Sequence, residues 1–310
     1  MTVAWRHGAL MAGVVVVAVA LTARAVDLHV VRRDFLAGQG EARTLRVVER
    51  PANRGMLLDR RGEPLAVSTP MESLWVCPPE LLTARARIPE LAAAVGQEGA
   101  DLSARVQARA GREFMYLRRA VTPQLAARVK ALGIPGVYAQ SEYRRYYPGG
   151  EVFAHLLGHT NVDDVGQEGL ELAHEATLRG VAGQERIVRD RRGFRVDTLE
   201  VLAPPRPGRD VRLSVDKRVQ YLAYRELKAA VQRARAVSAS AVVLDVRTGE
   251  VIAMVNQPAY NPNERISTEA GVRRNRALTD QFEPGSTIKP FTAAAALEHH
   301  TFDPRALIDT

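Results

Sequence analysis

The sequence predicts an α+β protein, with two folded units behind an N-terminal apolar helix, and three observations support this. The chain has 310 residues, 46% apolar and 25% charged, enough length for two cores and an ordinary globular composition. Its C-terminal third reads helix, antiparallel hairpin, then a turn into another helix, which means α+β layering and not a parallel sheet. The Pro- and Gly-rich "APPRPGRD" at residues 203–210 is the clearest linker and the expected boundary between the units.

The first element is apolar. Gly8 to Ala23 carries no charge, and apolar character resumes past Arg24, over residues 27–31. A bilayer-spanning helix needs roughly 20 mostly apolar residues, which this stretch reaches if Arg24 snorkels or faces other protein. Ala23-Arg24-Ala25 also fits a small-x-small leader cleavage site. The valine-rich core has no helix break before that site, so the expectation is an uncleaved signal anchor within residues 1–31. Arg6 precedes the segment while Arg24, Arg32 and Arg33 follow it, which leaves its orientation open.

A polar, Gly-punctuated connection then leads into the first folded unit, expected over residues 44–205. "RGMLLDRRGEPLAVS" (54–68) reads as strand, turn, strand about Asp59-Arg60-Arg61-Gly62. From Pro79 to about Leu132 helical spacing dominates, and "TPQLAARVKALG" supplies Thr122 as cap, Pro123 at the first position and Gly133 as stop. "IPGVYAQSEYRRYYPGG" returns to strand-like alternation and ends in a turn. The second unit, 210–310, begins with a strand, "VRLSVD", that runs into a helix. Val219, Leu222, Ala223, Leu227, Ala230, Val231 and Ala234 form one stripe of that helix. "SAVVLDVRTGEVIAMVN" is a hairpin turning at Arg247-Thr248-Gly249.

Charge and cysteine content exclude several classes. The formal charge of +8 comes from arginine spread over every segment, with no basic block interleaved with aromatics, so nucleic acid is not an expected partner. The single cysteine, Cys77, rules out an intramolecular disulfide and any Cys-cluster metal site. "HLLGH" sets His155 and His159 four apart near Asp163 and Asp164, but no glutamate follows the first histidine and Gly158 weakens the helix. "NVDDVGQEGLEL" fails as a calcium loop, with Val165 at a ligand position and Leu172 where a bidentate glutamate belongs. The expectation is structural histidines, no metal and no cofactor. Arg54, Gly55, Asp59 and Arg60 read as turn and ion-pair structure.

The chemistry-bearing pattern is "FEPGSTIKPF", which sets Ser286 three residues before Lys289. Ser-x-x-Lys is a cheap pattern, and Ser214 to Lys217 matches it as well. There, however, Asp216 looks like a helix cap and Ser214 the end of a strand. At Ser286, Pro284-Gly285 forces a turn, and Pro290 prevents a helix from running far upstream. Ser286 is therefore expected at the mouth of a helix, with Lys289 on the same face one turn on. A serine hydroxyl is inert until a base takes its proton. Lysine serves only when neutral, which burial and the positive end of a helix both favour, and the Ser286 N–H could form half of an oxyanion hole. Spacing alone fits a capping serine with a surface lysine equally well; the flanking Pro-Gly and Pro favour catalysis.

"FEPGSTIKPFTAAAALE" closely resembles the active-site segment of the penicillin-binding proteins, whose Ser-x-x-Lys motif carries the acylated serine. "RPANRGMLLDRRGEPLAVSTPMESLW" resembles the opening motif of the class B pedestal domain, and "PGGEVFAHLLGHTNVDDVGQEGLE" its later motif. "SAVVLDVRTGEVIAMVNQPAYNPN" resembles the start of the transpeptidase domain. Together they are most similar to the cell-division type, the septal peptidoglycan D,D-transpeptidases. No glycosyltransferase segment precedes them, unlike the bifunctional class A enzymes. The resemblance implies a dimerisation-type pedestal, then an incomplete α/β/α sandwich with an antiparallel sheet. It implies that Ser286 attacks the D-Ala-D-Ala carbonyl of a peptidoglycan stem peptide, that Lys289 takes the serine proton, and that β-lactams acylate the same serine. It further implies an inner-membrane, single-pass protein, N-terminus cytoplasmic and bulk periplasmic, working with membrane division proteins. The family's Ser-x-Asn and Lys-Thr-Gly motifs do not occur before Thr310, so the chain as written is expected to be an inactive fragment. Two rivals are a serine β-lactamase, which so long a segment before the serine argues against, and a non-catalytic, membrane-anchored docking module for division proteins.

Overall fold

The computed structural model describes residues 3–28, 32, 45–189, 195–264, 270–299, 303 and 305. The connection expected after Arg32 and the end of the chain lie largely outside them, as does Arg33. Helix α1 spans Val3–Val26, and its side chains from Leu10 to Val26 are exposed, with no core beneath them. Among the described residues no helix is long and apolar enough to cross a membrane. The uncharged run from Gly8 to Ala23 is bounded by Arg6 and Arg24 and rises about 24 Å, less than a hydrocarbon core of about 30 Å.

The first unit holds two sheets. Strands β1 (Leu45–Arg50), β6 (Gly183–Arg189) and β7 (Arg195–Ala203) form an antiparallel sheet in the order β1-β6-β7. The larger sheet runs β4-β3-β2-β8, the last being β8 (Val211–Arg212), with β5 also paired to β3. Its centre is the long β3 (Pro64–Val76), against which β2 (Leu57–Leu58), β4 (Met115–Val121) and β5 (Val137–Tyr146) lie antiparallel. Asp59 makes the β2–β3 turn as its sequence predicts: its Oδ1 accepts from the N–H groups of Arg61 and Glu63, and Gly62 is left-handed.

Helices α2 (Pro78–Thr83), α3 (Ile88–Val95), α4 (Gly99–Gln107) and α5 (Pro123–Ala131) cover one face of that sheet. Leu74, Val76, Leu81, Leu91, Leu102, Val106, Leu117 and Val129 close a core there. Each such leucine or valine adds roughly 1.5–3 kcal/mol over an exposed position. Thr122 caps α5 by accepting from the Leu125 N–H, and Gly133 is left-handed beyond its end, as expected. β4 corrects the helical reading of 79–132. Met115 and Leu117 face inward in strand alternation, and pairing with β3 overrides the local Ala/Leu/Arg composition.

A second core of Leu57, Leu65, Ala66, Tyr147, Phe153, Leu157, Leu178 and Val215 lies where the two units meet. Around it stand α6 (Ala154–Leu157), α7 (Gly169–Ala173) and α8 (Glu175–Leu178). Residues 203–210 are no free tether. Val181 bridges Arg206 in both directions, Gly208 N–H donates to Asn53 O, and Arg209 N–H donates to Thr177 O. A Cβ on Gly55 would meet Arg209 O at 2.1 Å, and one on Gly208 would meet Leu178 O at 1.8 Å, so backbones touch here. Strand β8 (Val211–Arg212) then pairs parallel to β2.

Beyond β8 the second unit continues with α9 (Lys217–Ala234), capped by Asp216, whose carboxylate accepts from Arg218 and Val219 N–H. It lies on the hairpin of β9 (Ala239–Leu244) and β10 (Val251–Gln257). The buried side of α9 departs from the expected stripe. Its buried residues are Gln220 and Tyr224, while Leu222 is half exposed. Hydrogen bonding sets this rotation: Gln220 accepts from Met254 N–H and donates to Met254 O and to Val152 O, satisfying the edge of β10 and the first unit together. Short helices α10 (Ala270–Arg273) and α11 (Arg276–Thr279) lead toward α12 (Lys289–Glu298).

Candidate active site

Residues 281–284 reach the site as irregular chain, and Gly285 takes a left-handed φ of 55°. A 3₁₀ turn over Gly285–Ile288 follows and runs directly into α12, with Pro290 in the first positions of that helix. Proline fits there because the first helical N–H groups have no intrahelical partner. The Thr287 N–H donates to Pro284 O at 3.1 Å, its hydroxyl bonds the same carbonyl, and Lys289 N–H donates to Ser286 O. Ser286 thus stands at the entry of the helix and Lys289 is its first α-helical residue, one turn on. Both side chains are exposed, and no hydrogen bond joins Ser286 Oγ to Lys289 Nζ. Catalytic hydrogen bonds in unliganded sites are often long and tighten when substrate binds.

The surroundings are apolar and open. Ile288, Phe291 and Leu297 on the same helical segment, with Phe282 and Leu278 before it, are exposed. A helix as apolar as "KPFTAAAALE" ordinarily lies in a core. The hairpin of the same unit is also bare on one side, since Val242, Val243 and Leu244 of β9 are exposed.

The other sequence candidates go to structural duties. Ser214 Oγ donates to Val251 O at 2.8 Å, and Lys217 faces Glu63, so the second Ser-x-x-Lys presents no nucleophile–base pair. His155 is buried edge-on to Tyr260, and its Nε2 lies 2.8 Å from Val272 O. Burial holds its pKa below the ordinary imidazole value, and a neutral ring donating through Nε2–H fits that carbonyl. His159 Nδ1 lies 3.6 Å from Glu168. Among the described residues no group of His, Cys, Asp or Glu could hold a metal ion.

Sequence reasoning missed how the two pedestal-like motifs meet. Arg54, from the earlier one, donates through Nε to Glu171 at 2.8 Å and pairs through Nη2 with Glu175 at 2.7 Å. Arg145 Nε reaches the other Glu171 oxygen at 2.7 Å, and its Nη1 donates to Gly55 O. Next to this cluster is Asp164, whose backbone is left-handed and whose carbonyl accepts from Arg54 Nη1. Burial pushes its carboxyl up to about 6, against the opposing pull of Arg145 and Arg54. The folded protein therefore holds a proton between about pH 4 and 6 that the unfolded chain has released, so stability falls as pH rises through that window. We expect Asp164→Asn to flatten the slope and to gain up to about 3 kcal/mol at neutral pH, read from urea unfolding at pH 5 and pH 7.5. Asparagine also tolerates the left-handed backbone.

The comparisons with known proteins agree with this fold. Residues 49–213 match the penicillin-binding protein dimerisation domain, and residues 239–310 the penicillin-binding protein transpeptidase domain. The chain belongs to the penicillin-binding protein family. It is 44% identical over 289 residues, 93% of this chain, to the probable peptidoglycan D,D-transpeptidase PbpC of Pseudomonas aeruginosa. It is 41% identical over 314 residues, 99% of this chain, to the peptidoglycan D,D-transpeptidase FtsI of Escherichia coli. These alignments cover 51% and 53% of the relatives, so the chain spans about half their length. Penicillin-binding protein 2X of Streptococcus thermophilus shares the fold at a TM-score of 0.61 and 22% identity, covering 84% of this chain and 43% of that one.

Proposed function

We propose that this chain carries the nucleophile of a peptidoglycan D,D-transpeptidase of the cell-division type. Ser286 attacks the D-Ala-D-Ala carbonyl of a stem peptide, Lys289 takes the hydroxyl proton, and D-alanine leaves. The amine of a neighbouring strand then resolves the acyl-serine into a cross-link. The observation that carries this reading is the accessible Ser286/Lys289 pair at a helix entry, inside the segment that matches the transpeptidase domain. The division type rests on residues 51–75 and on the similarity to a relative named FtsI; membrane division proteins are its natural partners.

We further infer that the N-terminal segment anchors the chain in the inner membrane, N-terminus inside and bulk periplasmic, because the substrate lies outside; the uncharged run of α1 is too short alone, so the span would continue past Arg24. Its exposed apolar residues support this, as does Arg24, whose charge is met by Asp27 at 2.6 Å. The test of the chemistry is labelling of the native polypeptide with a fluorescent penicillin. The parent and Ser214→Ala should label and Ser286→Ala should not; labelling of Ser286→Ala overturns the assignment.

A further inference from the structure

The stretch that delivers Ser286 is held from outside. Asn256 is buried on β10 among Ala253, Met254 and Val255, an apolar run in which a polar side chain needs partners. Its Oδ1 accepts from Ser240 Oγ of β9 at 2.7 Å and from the Ala277 N–H of α11 at 2.8 Å, and its Nδ2 donates to Asn275 Oδ1 at 2.9 Å. Asn275 passes the connection on, donating through Nδ2 to His155 O at 3.1 Å, while its own carbonyl accepts from the Leu278 and Thr279 N–H groups. His155 closes the loop on Val272 O. Four of these bonds thus join the hairpin, the first unit and the approach segment. Asp280, gripped by Arg274 and Arg276 at 2.7 and 3.0 Å, ends that segment. Residues 281–285 alone separate it from Ser286.

We propose that Asn256 is a positioning residue for Ser286, and that Asn275 and His155 let the first unit set the same register. Asn256 touches no reacting atom; it fixes where the chain leaves the sheet, and so where the helix entry and its serine stand. This rests on Ser286 being the nucleophile. Misplacing a reacting group by about 1 Å costs up to about 100-fold in rate. Because Asn256 and Asn275 act in one relay, their effects should not add.

The experiment follows the time course of fluorescent-penicillin acylation in the native polypeptide, alongside the melting temperature. Asn256→Ala and Asn275→Ala should each slow acylation by about 10- to 100-fold, with the labelling endpoint kept and the double variant no slower than the slower single. Parental rates in Asn256→Ala, with Ser286→Ala unlabelled, overturn this proposal alone; effects that multiply overturn it too. Labelling of Ser286→Ala removes the nucleophile and this proposal together. A second measurement holds if a variant melts too early to assay. Amide exchange at Ala277 and Leu278 should accelerate in Asn256→Ala while β3 and β5 keep their protection. Equal acceleration everywhere marks Asn256 as ordinary core and overturns the proposal.

Discussion

Glu171→Gln should destabilise the fold by about 3–5 kcal/mol, the loss expected when one partner of a buried ion pair is removed and its counter-charges remain. Glu171 is fully buried, and its two oxygens neutralise two guanidinium groups that are themselves 1–2% exposed. A glutamine keeps the shape, removes the charge and points an N–H at one of the arginines. Arg54 would retain Glu175 and two carbonyls, whereas Arg145 would retain only carbonyl and hydroxyl acceptors. The loss is a large share of a typical total of 5–15 kcal/mol, and the urea midpoint at pH 7 reads it directly. A change under about 1 kcal/mol would mean that apolar burial holds this region without the cluster.

The second large effect concerns the proposed base. Lys289→Arg keeps the charge, the length and the helix propensity, but a guanidinium cannot give up its proton to become a base. Acylation of Ser286 should fall roughly 10²- to 10⁴-fold, the usual share of general-base catalysis, with the fold unchanged by circular dichroism. An arginine variant that acylates at the parental rate would leave Lys289 a surface residue and pass the proton to another group.

Where local chemistry decides the outcome, the sequence was legible. Asp59 in its turn, Thr122 and Asp216 as caps, the β9–β10 hairpin and the helix entry at Ser286 all follow from residues within a turn of one another. Long-range partners were not legible. β4 is a strand because β3 lies beside it, and α9 buries Gln220 because the Met254 backbone needs that amide. The Arg54–Glu171 pair spans 117 residues, beyond any periodicity. Ser286 and Lys289 were legible as positions in a helix, while the walls that would close a pocket around them were not.

The strap after β7 returns the chain to its point of entry. Asn53, Met56 and Leu58 carbonyls accept from Gly208, Val211 and Leu213, and Arg60 N–H donates to Val215 O. Tension between α1 and α9 would therefore pull these two parallel segments from opposite ends. The four bonds would be loaded in shear and yield together, not peel one at a time. Mechanical load entering at the N-terminus would reach the capped start of α9 almost directly, bypassing the helical lobe of the first unit.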